Sequence, residues 1–494
     1  METTGENTMS RLEKKLGDLA PDFGLTEAEQ NSLVRGCAVD NRQIQQGYIF
    51  GAFPGVKVNG EDFIPQAIAA GAVAVVARPE ARIKGAIHLV SDEPRKTFAE
   101  IAARFFAPFP SVIAAVTGTN GKTSVAELCR QLWQMAGYNA ASIGTFGIIS
   151  PQEHLNTGMT TPDIITFLSS ASKLAKENVS HLIFEASSHG LAQYRSDGPR
   201  VMAGGFTSFS RDHLDYHGTM DAYLAAKLRL FDERVASDGT AVVWADDPVS
   251  ASVIAHVQKR GLKLIDVGEK GGALRLLDKK ADSQGQHLSL SAQGKSYKVR
   301  LPLIGSYQVA NALVAAGLVI ATGGDVEKTL SNLSRLKPVR GRLERAADTV
   351  KGAAIYVDYA HTPEGLRAAI DALRPHTKGK LFVVFGAGGD RDRGKRPEMG
   401  RIAVTLADHV IVTDDNPRGE VAADIRQEIL AGADGAQEIE GRKAAIFSAV
   451  QQANKGDIIL IAGKGHEQGQ IIGRGENMRI LPFDDVTVAK EAVA

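Results

Sequence analysis

Short apolar runs rich in β-branched residues alternate with helical patterns along nearly the whole chain. This alternation is typical of α/β proteins in which most strands of each sheet are parallel. With 494 residues the chain is longer than one ordinary domain, so more than one sheet is expected. Breaks in the pattern at 107–110 and 337–342 predict three domains, which comprise residues 1–109, 110–339 and 340–494.

The balance of charge and the scarcity of cysteine argue against several classes of protein. Lysine plus arginine and aspartate plus glutamate both number 57, so no overall charge attracts nucleic acid or an anionic membrane. The two cysteines, Cys37 and Cys129, form no CxxC pair, which fits a reducing compartment. The polar segment 1–25 lacks the apolar core of a signal peptide, and the most apolar run, 67–77, is too short to span a bilayer. We therefore predict a cytoplasmic protein without membrane insertion and without nucleic-acid partners.

A glycine-rich segment with the letters TGTNGKTS, residues 117–124, directly follows a strand pattern and precedes a helical one. Glycines allow the backbone amides to face a phosphate chain at the N-terminus of the following helix. In such a loop Lys122 lies on the terminal phosphates, and the hydroxyl of Thr123 ligates Mg²⁺. The predicted phosphate-binding residues are Gly118, Thr119, Asn120, Gly121, Lys122, Thr123 and Ser124.

The loop departs from the strict G-x-x-x-x-G-K-[ST] pattern, because Val116 occupies the position of the first glycine. The plain alternative is a glycine-rich turn with an incidental lysine. The strand before the loop, the helix after it and the Gly-Lys-Thr triplet together favour a site for a nucleoside triphosphate.

Two further segments carry groups suited to a cation near this loop. Glu185 follows the strand pattern 181–184, and a carboxylate there would hold Mg²⁺ opposite Thr123, since hard cations prefer oxygen ligands. The segment 210–218, with the letters SRDHLDYHG, is dense in groups that bind metal or phosphate. A helix cap for Glu185 and a solvated loop for 210–218 are the alternatives.

One lysine lies on the apolar face of a predicted helix. The apolar residues between 220 and 231 recur at helical spacing, and Lys227 falls on the same stripe. In one interpretation its ammonium extends past the apolar stem to water. In the other, the amine is buried, has a lowered pKa and reacts with CO₂ to give a carbamate whose oxygens bind Mg²⁺. Both interpretations are open at this point.

The last part of the chain contains four apolar runs, each followed at once by a polar, turn-rich segment. The carboxyl ends of the strands in an open parallel sheet meet at one crevice, where ligands bind. We therefore expect the four polar segments to converge. They are residues 358–361, 386–393, 414–418 and 463–467.

The chain resembles the Mur ligases nearly from end to end. The resemblance lies in GTNGKT at 118–123, EASSH at 185–189, SRDH at 210–213 and DYAH at 358–361. It implies a small N-terminal α/β domain, a central P-loop ATPase-like sheet with helices on both faces, and a C-terminal Rossmann-like domain. It also implies an ATP-dependent ligase that forms an amide bond through an acyl phosphate.

The resemblance further implies the cofactors and the residues around them. ATP and two Mg²⁺ ions are expected, together with a carbamate on Lys227. The implied catalytic residues are Lys122, Lys227 and His213. The implied metal ligands are Thr123, Glu185, His213 and carbamylated Lys227. The residues that match nucleotide contacts of the family are Asn311, Arg342 and Asp358.

Within the family, Thr160-Thr161-Pro162 with Gln193 and Arg195 match the branch that adds the third amino acid of the peptide stem. This implies a monomeric enzyme with two substrates besides ATP, UDP-N-acetylmuramoyl-L-alanyl-D-glutamate and meso-2,6-diaminopimelate. Asn41 lies in the segment that resembles the family's binding segment for the uridine-diphosphate end of the substrate, and the family commonly has serine at this position. The implied contacts to the UDP-linked substrate are Val39, Asn41, Thr160, Thr161, Ser188, Gln193 and Arg195.

The segment 415–418, with the letters DNPR, indicates which amino acid is added. Diaminopimelate differs from lysine by a second carboxylate, which the guanidinium of Arg418 can bind through two parallel hydrogen bonds. The same arginine repels the bare ammonium of lysine. A type I turn with a solvated arginine is the alternative. The family uses this motif for meso-diaminopimelate, and the implied amino-acid contacts are Arg391, Asp415, Asn416, Pro417, Arg418, Gly463 and Glu467.

Two other functions are compatible with parts of the sequence. A folylpolyglutamate-type ligase shares the phosphate loop and the lysine, but has no evident need for the DNPR segment or for a uridine-binding N-terminal block. A nucleotide-switch binding module would hydrolyse ATP slowly to drive a partner, and the dense polar loops of the last block argue against it.

Overall fold

The computed structural model describes residues 13–55, 58–282 and 285–494. In these ranges the chain forms three large sheets, in succession along the sequence, and two small two-stranded sheets. The predicted α/β class is confirmed. The α-helices of the described ranges are Leu16–Leu19, Glu27–Gln30, Ile64–Ala69, Pro94–Phe106, Lys122–Met135, Ile164–Lys176, Ser188–Ala192, Leu214–His217, Met220–Arg229, Ser250–Lys259, Ser306–Ala321, Val326–Asn332, Pro363–Leu373, Lys395–Leu406, Ala422–Leu430, Arg442–Gln452 and Asp485–Val493.

The first large sheet is parallel throughout its described strands. Its strand order is Gly36–Ala38, Tyr48–Gly51, Ala72–Ala77 and Ile87–Val90. The helix Pro94–Phe106 packs on this sheet and also contacts the helix Ile164–Lys176 of the next block. The N-terminal block is therefore joined to the centre of the molecule by packed apolar side chains, among them Phe98 and Phe167, which belong to one buried cluster.

The central sheet has eleven strands among the described residues, and most neighbouring pairs are parallel. Its strand order is His154–Leu155, Gly147–Ile149, Ala140–Gly144, His181–Glu185, Val112–Thr117, Val201–Phe206, Val235–Trp244, Lys263–Gly268, Leu274–Asp282, Gly285–Ala292 and Lys295–Leu301. The last three strands of this order form an antiparallel extension that the sequence analysis did not predict.

The strand before the phosphate loop is buried on both faces. Ile113 and Ala115 pack into one apolar cluster, and Ala114 and Val116 pack into the cluster on the opposite face. Helices cover both faces of a parallel sheet, so its strands read as continuous apolar runs and not as alternating ones. This central position fixes the loop that follows Thr117 at the middle of the sheet's carboxyl edge.

The four apolar runs of the third block, residues 353–357, 381–385, 409–413 and 457–462, form strands of the third large sheet whose ends differ from those of the runs by at most one residue. Its strand order is Glu344–Asp348, Ala354–Asp358, Ile458–Ala462, Leu381–Phe385, His409–Val412 and Gln437–Glu438. The first strand of this order is antiparallel to its neighbour and the others run parallel. The four predicted loops therefore leave the same edge of the sheet.

The remaining strands form two small ribbons. The two ribbons pair Lys14–Lys15 with Leu33–Val34, and Gly469–Ile472 with Arg479–Pro482. Among the described residues, no helix combines the length and the apolarity needed to cross a lipid bilayer. Each large sheet falls within one of the three blocks expected from the sequence, and the boundaries of those blocks stay a prediction.

Candidate active site

The glycine-rich loop connects the strand Val112–Thr117 to the helix Lys122–Met135. Gly118 and Gly121 have φ angles of 144° and 90°, which disfavour residues with a side chain. A Cβ atom at Gly121 would also collide with Oδ1 of Asn311, and one at Gly118 with Oγ1 of Thr207. Both glycines are therefore required by the backbone and by the close approach of neighbouring side chains.

Lys122 lies across this loop. Its Nζ donates to the carbonyl oxygens of Gly118 and Thr119, at 2.9 Å each. Burial lowers the pKa of Lys122, and the nearby charge of Glu185 opposes that shift. The ammonium is thus held beside the backbone amides at the start of the helix, where a phosphate chain would meet both.

Glu185 and Thr123 meet at the carboxyl edge of the sheet. The Oγ1 of Thr123 donates to Oε2 of Glu185 at 2.9 Å, and the backbone N–H of Thr145 donates to Oε1 at 2.7 Å. Burial raises the pKa of Glu185, while the Thr145 hydrogen bond and the charge of Lys122 act in the opposite direction. The structure therefore places a buried carboxylate next to the hydroxyl that the loop motif assigns to a cation.

Thr145 is a member of this cluster that the sequence analysis missed. Its hydroxyl lies 3.1 Å from that of Thr160, and Thr161 Oγ1 donates to the carbonyl of Glu185 at 2.7 Å. The structure thus brings two predicted substrate residues next to the predicted metal residue. The only signal for Thr145 in the sequence is its place between Gly144 and Gly147, directly after an apolar run.

Lys227 is buried, with 1% of its surface exposed. Its Nζ donates to the carbonyl oxygen of Gly118 at 2.6 Å and lies 4.3 Å from the centre of the Tyr223 ring. Burial, followed by the charge of Lys122, lowers the pKa of Lys227 well below its usual range. The interpretation in which this ammonium reaches water is therefore wrong.

The segment 210–218 borders the same space. The ring of His213 lies 4.9 Å from that of His189, and its Nε2 is 3.5 Å from Oδ2 of Asp212. His213 has a φ angle of 52°, a strained value for a residue with a side chain. Burial lowers the pKa of His213, which keeps its imidazole neutral and able to act as a ligand.

The described residues contain no group of three or more histidine, cysteine, aspartate or glutamate side chains arranged to hold a metal ion. Two of the four predicted metal ligands are not of these residue types, because Thr123 offers a hydroxyl and Lys227 an amine. Glu185 and His213 are the members of that set with conventional metal-binding groups.

The predicted nucleotide residues lie between the second and third sheets. Nδ2 of Asn311 donates to Gln308, whose Nε2 donates to the carbonyl of Arg342 at 3.1 Å. The Arg342 guanidinium stacks 4.4 Å from the centre of the Tyr359 ring. Its charge acts on Lys122 and Glu185, so Arg342 faces the phosphate loop.

Asp358 ends the strand Ala354–Asp358 and is buried. Its carboxylate accepts hydrogen bonds from the backbone N–H of Leu343 at 2.7 Å and that of Ala360 at 2.8 Å. The hydroxyl of Tyr307 adds a third at 3.2 Å. Burial raises the pKa of Asp358 in spite of these donors. The same carboxylate thus fixes the start of the third block against the helix Ser306–Ala321.

Asn416 and Glu467, from two of the four predicted loops, meet as expected. Nδ2 of Asn416 donates to Oε2 of Glu467 at 2.8 Å. Lys464 joins them, because its Nζ lies 2.9 Å from Oδ1 of Asn416 and 3.3 Å from Oε2 of Glu467. Lys464 is fully buried, and the sequence analysis did not select it, although it stands between two glycines directly after a buried strand.

Asp415 is held ionised in this cluster. Burial acts to raise its pKa, but the charges of Arg442 and Lys464 outweigh burial and lower the pKa. A Cβ atom at Gly463 would lie 2.8 Å from Oδ2 of Asp415, so the predicted glycine permits a close approach. Arg442 is also buried and pairs with Asp485 at 2.7 Å, and nothing in the sequence identified it.

Arg418 and Arg391 lie on neighbouring loops of the same edge. Nη1 of Arg418 donates to the carbonyl of Gly389 at 3.0 Å, and its backbone N–H donates to Ile471 at 3.0 Å. Arg391 is exposed and donates to the carbonyl of Asp390 at 3.3 Å. In the described part of the chain, neither guanidinium forms an ion pair with a carboxylate, so both are available to an anionic ligand.

The other predicted contacts to the UDP-linked substrate fall in two places. Gln193 and Arg195 hydrogen bond to each other at 3.0 Å and 2.6 Å, and Oγ of Ser188 is buried without a partner among the described residues. Val39 and Asn41 lie in the N-terminal block, where Asp40 caps the turn Asn41–Gln43. The described hydrogen bonds do not join Val39 or Asn41 to the phosphate loop.

The third block approaches the central one beside the Glu185 cluster. The rings of Phe146 and His466 are 4.8 Å apart, and Phe146 directly follows Thr145. The side chain of Lys395 donates to the carbonyl of His361 at 2.8 Å, and its pKa responds to the charge of Asp212 in the central block. The Glu185 cluster and the loop 463–467 thus meet at the junction of the two blocks.

Three family models match successive parts of this chain. The Mur ligase family catalytic domain matches residues 33–108, the Mur ligase middle domain residues 116–319, and the Mur ligase glutamate ligase domain residues 341–465. The chain belongs to the Mur ligase family. The resemblance found in the loop and strand-end motifs is therefore confirmed.

Relatives of this Mur ligase carry a more specific name. The chain is 72% identical to a UDP-N-acetylmuramoyl-L-alanyl-D-glutamate–2,6-diaminopimelate ligase of Zymomonas mobilis, over 98% of this chain and 100% of the relative. It is 50% identical to a ligase of the same name from Bradyrhizobium diazoefficiens, over 97% and 99% of the two chains. A solved structure of a ligase with that name, 32% identical, matches with a TM-score of 0.73 over 97% of this chain and 98% of the other.

Proposed function

We propose that this Mur ligase joins meso-2,6-diaminopimelate to UDP-N-acetylmuramoyl-L-alanyl-D-glutamate in the synthesis of peptidoglycan precursors. The observation that carries this function is the 72% identity, over nearly the whole of both chains, to a ligase of that name. The chain is accordingly an ATP-dependent enzyme that forms an amide bond.

The two alternative functions are not favoured. The N-terminal block, which a folylpolyglutamate-type ligase does not need for its substrate, matches a Mur ligase model over residues 33–108. A nucleotide-switch module does not require a buried cluster of Asp415, Asn416 and Lys464 at the edge of the third sheet.

The proposed reaction has two steps. A carboxylate oxygen of D-glutamate attacks the γ-phosphorus of ATP, and the bond to the β,γ-bridging oxygen breaks, so ADP leaves and an acyl phosphate forms. The neutral amine of diaminopimelate then attacks the acyl carbon and forms the C–N bond, the C–O bond to the phosphoryl group breaks, and the amine proton ends on the released phosphate. In both steps Lys122 and the backbone amides of 118–124 stabilise the charge on phosphoryl oxygens, which is the largest contribution to such transfers.

Magnesium is required by ligases of this family, and the Glu185 cluster fits it. Glu185 and Thr123 present oxygen atoms 2.9 Å apart at the loop, and oxygen is the donor that Mg²⁺ prefers. When bound, the ion neutralises charge on the phosphate oxygens. We assign Thr123, Glu185, His213 and a carbamate on Lys227 as its ligands, with two ions in total.

Exchange of Glu185 for glutamine is expected to raise the Mg²⁺ concentration for half-maximal activity by roughly 10-fold or more, because an anionic ligand becomes neutral. A Mg²⁺ titration of the initial rate measures this change. Glu127→Gln is the matched control, since Glu127 is a buried carboxylate bonded to Ser142 and Arg130 and not to the loop. An unchanged Mg²⁺ requirement in Glu185→Gln would show that Glu185 has only a structural role through its hydrogen bonds with Thr123 and Thr145.

The carbamate on Lys227 is supported by the surroundings of its amine. The amine is buried away from solvent, and its pKa is strongly lowered. A neutral amine is the form that attacks CO₂: an N–C bond forms, the nitrogen loses a proton, and the resulting carbamate keeps that nitrogen and adds two oxygens close to the phosphate loop. His213, which lies near the Tyr223 ring at 6.1 Å between centroids, completes the proposed catalytic group with Lys122.

The amino-acid subsite is proposed at the edge of the third sheet. Asp415 and Asn416 offer acceptors for the amine at the far end of diaminopimelate, and Arg418 and Arg391 offer donors for the carboxylate beside it. Pro417 fixes the turn that directs Arg418. Gly463 and Glu467 line the same cluster through their contacts with Asp415 and Asn416.

The remaining assignments concern the nucleotide, the UDP-linked substrate and the domains. Asn311, Arg342 and Asp358 are proposed nucleotide contacts. Val39, Asn41, Thr160, Thr161, Ser188, Gln193 and Arg195 are proposed contacts of the UDP-linked substrate. We propose domains at 1–109, 110–339 and 340–494, and a monomeric enzyme in the cytoplasm, where ATP and UDP-linked precursors are available.

The decisive experiment is a coupled assay of ADP release. Release over many turnovers is expected only when ATP, the UDP-linked dipeptide and meso-diaminopimelate are all present, because the acyl phosphate forms on the UDP-linked substrate with release of one ADP and must be consumed by the amino acid before the next turnover. Mass spectrometry of the product should give the UDP-tripeptide. A rate of ADP release that does not depend on either substrate, or a product formed from a folate, would contradict the assignment.

A further inference from the structure

Two arginines from different blocks of the chain lie together where the N-terminal block meets the central one. Arg95 is in the first turn of the helix Pro94–Phe106, and Arg195 follows the helix Ser188–Ala192. A hydrogen bond from the hydroxyl of Tyr194 to Oε1 of Glu93, at 3.2 Å, joins the two segments. Each partner of this bond is within two residues of one arginine, and the charge of Arg195 acts on the guanidinium of Arg95, so the two side chains lie near each other.

Neither guanidinium has an anionic partner among the described residues. Arg95 donates to the carbonyl of Pro54 at 3.0 Å and lies over the Phe53 ring at 5.0 Å. Arg195 donates to Gln193 Oε1 and, at 3.3 Å, to the carbonyl of Thr161. By contrast, other arginines of the N-terminal block form ion pairs, such as Arg78 with Glu61 at 2.7 Å.

Both guanidinium groups are half-buried. Burial lowers the pKa of both arginines in spite of opposing charges from Tyr216 and, at Arg195, from Asp163, and the charge of Arg195 also lowers the pKa of Arg95. Two like charges that are partly removed from water repel each other, unless an anion compensates them. A planar guanidinium is also the group best suited to bind carboxylate or phosphate through two hydrogen bonds.

The segment that carries Arg195 is held in a strained conformation. Tyr194 has a φ angle of 56°, which a residue with a side chain adopts only when its surroundings enforce it. Its ring lies 3.8 Å from the guanidinium carbon of Arg229, and Arg229 pairs with the buried Asp197 at 2.7 Å. These contacts hold Tyr194, the residue before Arg195, against Glu93 of the N-terminal block.

We infer that Arg95 is a further substrate-positioning residue, which clamps an anionic group of the UDP-linked substrate together with Arg195. This inference rests on the proposed function, since that substrate carries both phosphate and carboxylate groups. The clamp would fix the substrate across the junction of two blocks, with its reactive carboxylate directed towards the Glu185 cluster through Thr161, which bonds to Arg195 and Glu185 alike.

The test is a calorimetric titration of the full chain with UDP-N-acetylmuramoyl-L-alanyl-D-glutamate in the absence of ATP. Arg95→Met is expected to raise the Kd by roughly 10-fold or more, because a charge-assisted hydrogen bond is lost, and Arg95→Lys by less. Lys96→Met is the matched control, since Lys96 is on the same helix and forms only a long 3.8 Å pair with Glu93. ATP affinity should change less than about 2-fold in every variant.

Truncated ligands identify the anion. If Arg95→Met also weakens the binding of UDP-N-acetylmuramate, the clamp holds the diphosphate or the lactyl carboxylate, and weaker binding of UDP alone assigns it to the diphosphate. If only the dipeptide form is affected, the clamp holds a peptide carboxylate. Equal Kd values for Arg95→Met and the wild type would overturn the inference. A wild-type protein that binds none of these UDP-linked ligands would instead overturn the proposed function.

Discussion

Replacement of Lys227 by alanine is expected to lower kcat by roughly 10³-fold, and acetate or another short carboxylic acid should restore part of the activity. The loss follows from the removal of a charged ligand that stabilises the transferring phosphoryl group. The rescue follows from the space left by the buried side chain next to Gly118, which can admit a small carboxylate in place of the carbamate. Initial rates with and without added acid measure both effects.

The Lys227→Arg variant tests whether residue 227 acts as a carbamate or only as a positive charge. Arginine keeps a cation near Gly118 but cannot form the carbamate, so Lys227→Arg should be as inactive as the alanine variant and should not respond to acid. With ¹³C-labelled bicarbonate, the wild type should also give a carbamate carbon signal that Lys227→Arg lacks. Full activity of the arginine variant, or no rescue of Lys227→Ala, would assign Lys227 a structural role through Tyr223 and Gly118.

Local patterns predicted the parts of the fold and site that depend on neighbours in sequence. The strand, loop and helix around Lys122 could be predicted because the apolar run 112–116 is buried on both faces and the glycines follow at once. The convergence of Asn416 and Glu467 could be predicted because parallel strands end at the same edge of a sheet. Lys227 was identified by its place on an apolar stripe.

Other residues of the site could not be predicted, because their roles depend on contacts far along the chain. Thr145 matters through Glu185, forty residues away, and Arg442 through Asp485, forty-three residues away. Arg95 is ordinary within its own helix and becomes notable only when Tyr194 brings Arg195 beside it. The antiparallel strands Gly285–Ala292 and Lys295–Leu301 have exposed positions on one face, so they lack the continuous apolar runs by which the other strands were found.

Selection of the amino acid is expected to depend on Arg418 more than on any other single residue of the third block. Its backbone is fixed from both sides, because its N–H donates to Ile471 and its carbonyl accepts from Gly473 at 2.6 Å. Its φ angle of 50° is held by that pairing. Truncation of the side chain therefore removes the guanidinium and leaves the loop in place, so a change in kinetics can be ascribed to the lost donor.

Arg418→Ala should raise the KM for meso-diaminopimelate by about 100-fold, because a bidentate hydrogen bond to a carboxylate is lost. The KM for ATP should change less than about 2-fold, since the phosphate loop is not in contact with Arg418. The discrimination against lysine should fall as well, because the cation that repels its ammonium is absent. Initial rates with each amino acid measure these effects, with Arg479→Ala, an exposed arginine of the adjacent hairpin, as the control. Equal increases in both KM values would mean that Arg418 supports the structure of the site as a whole and does not recognise the amino acid.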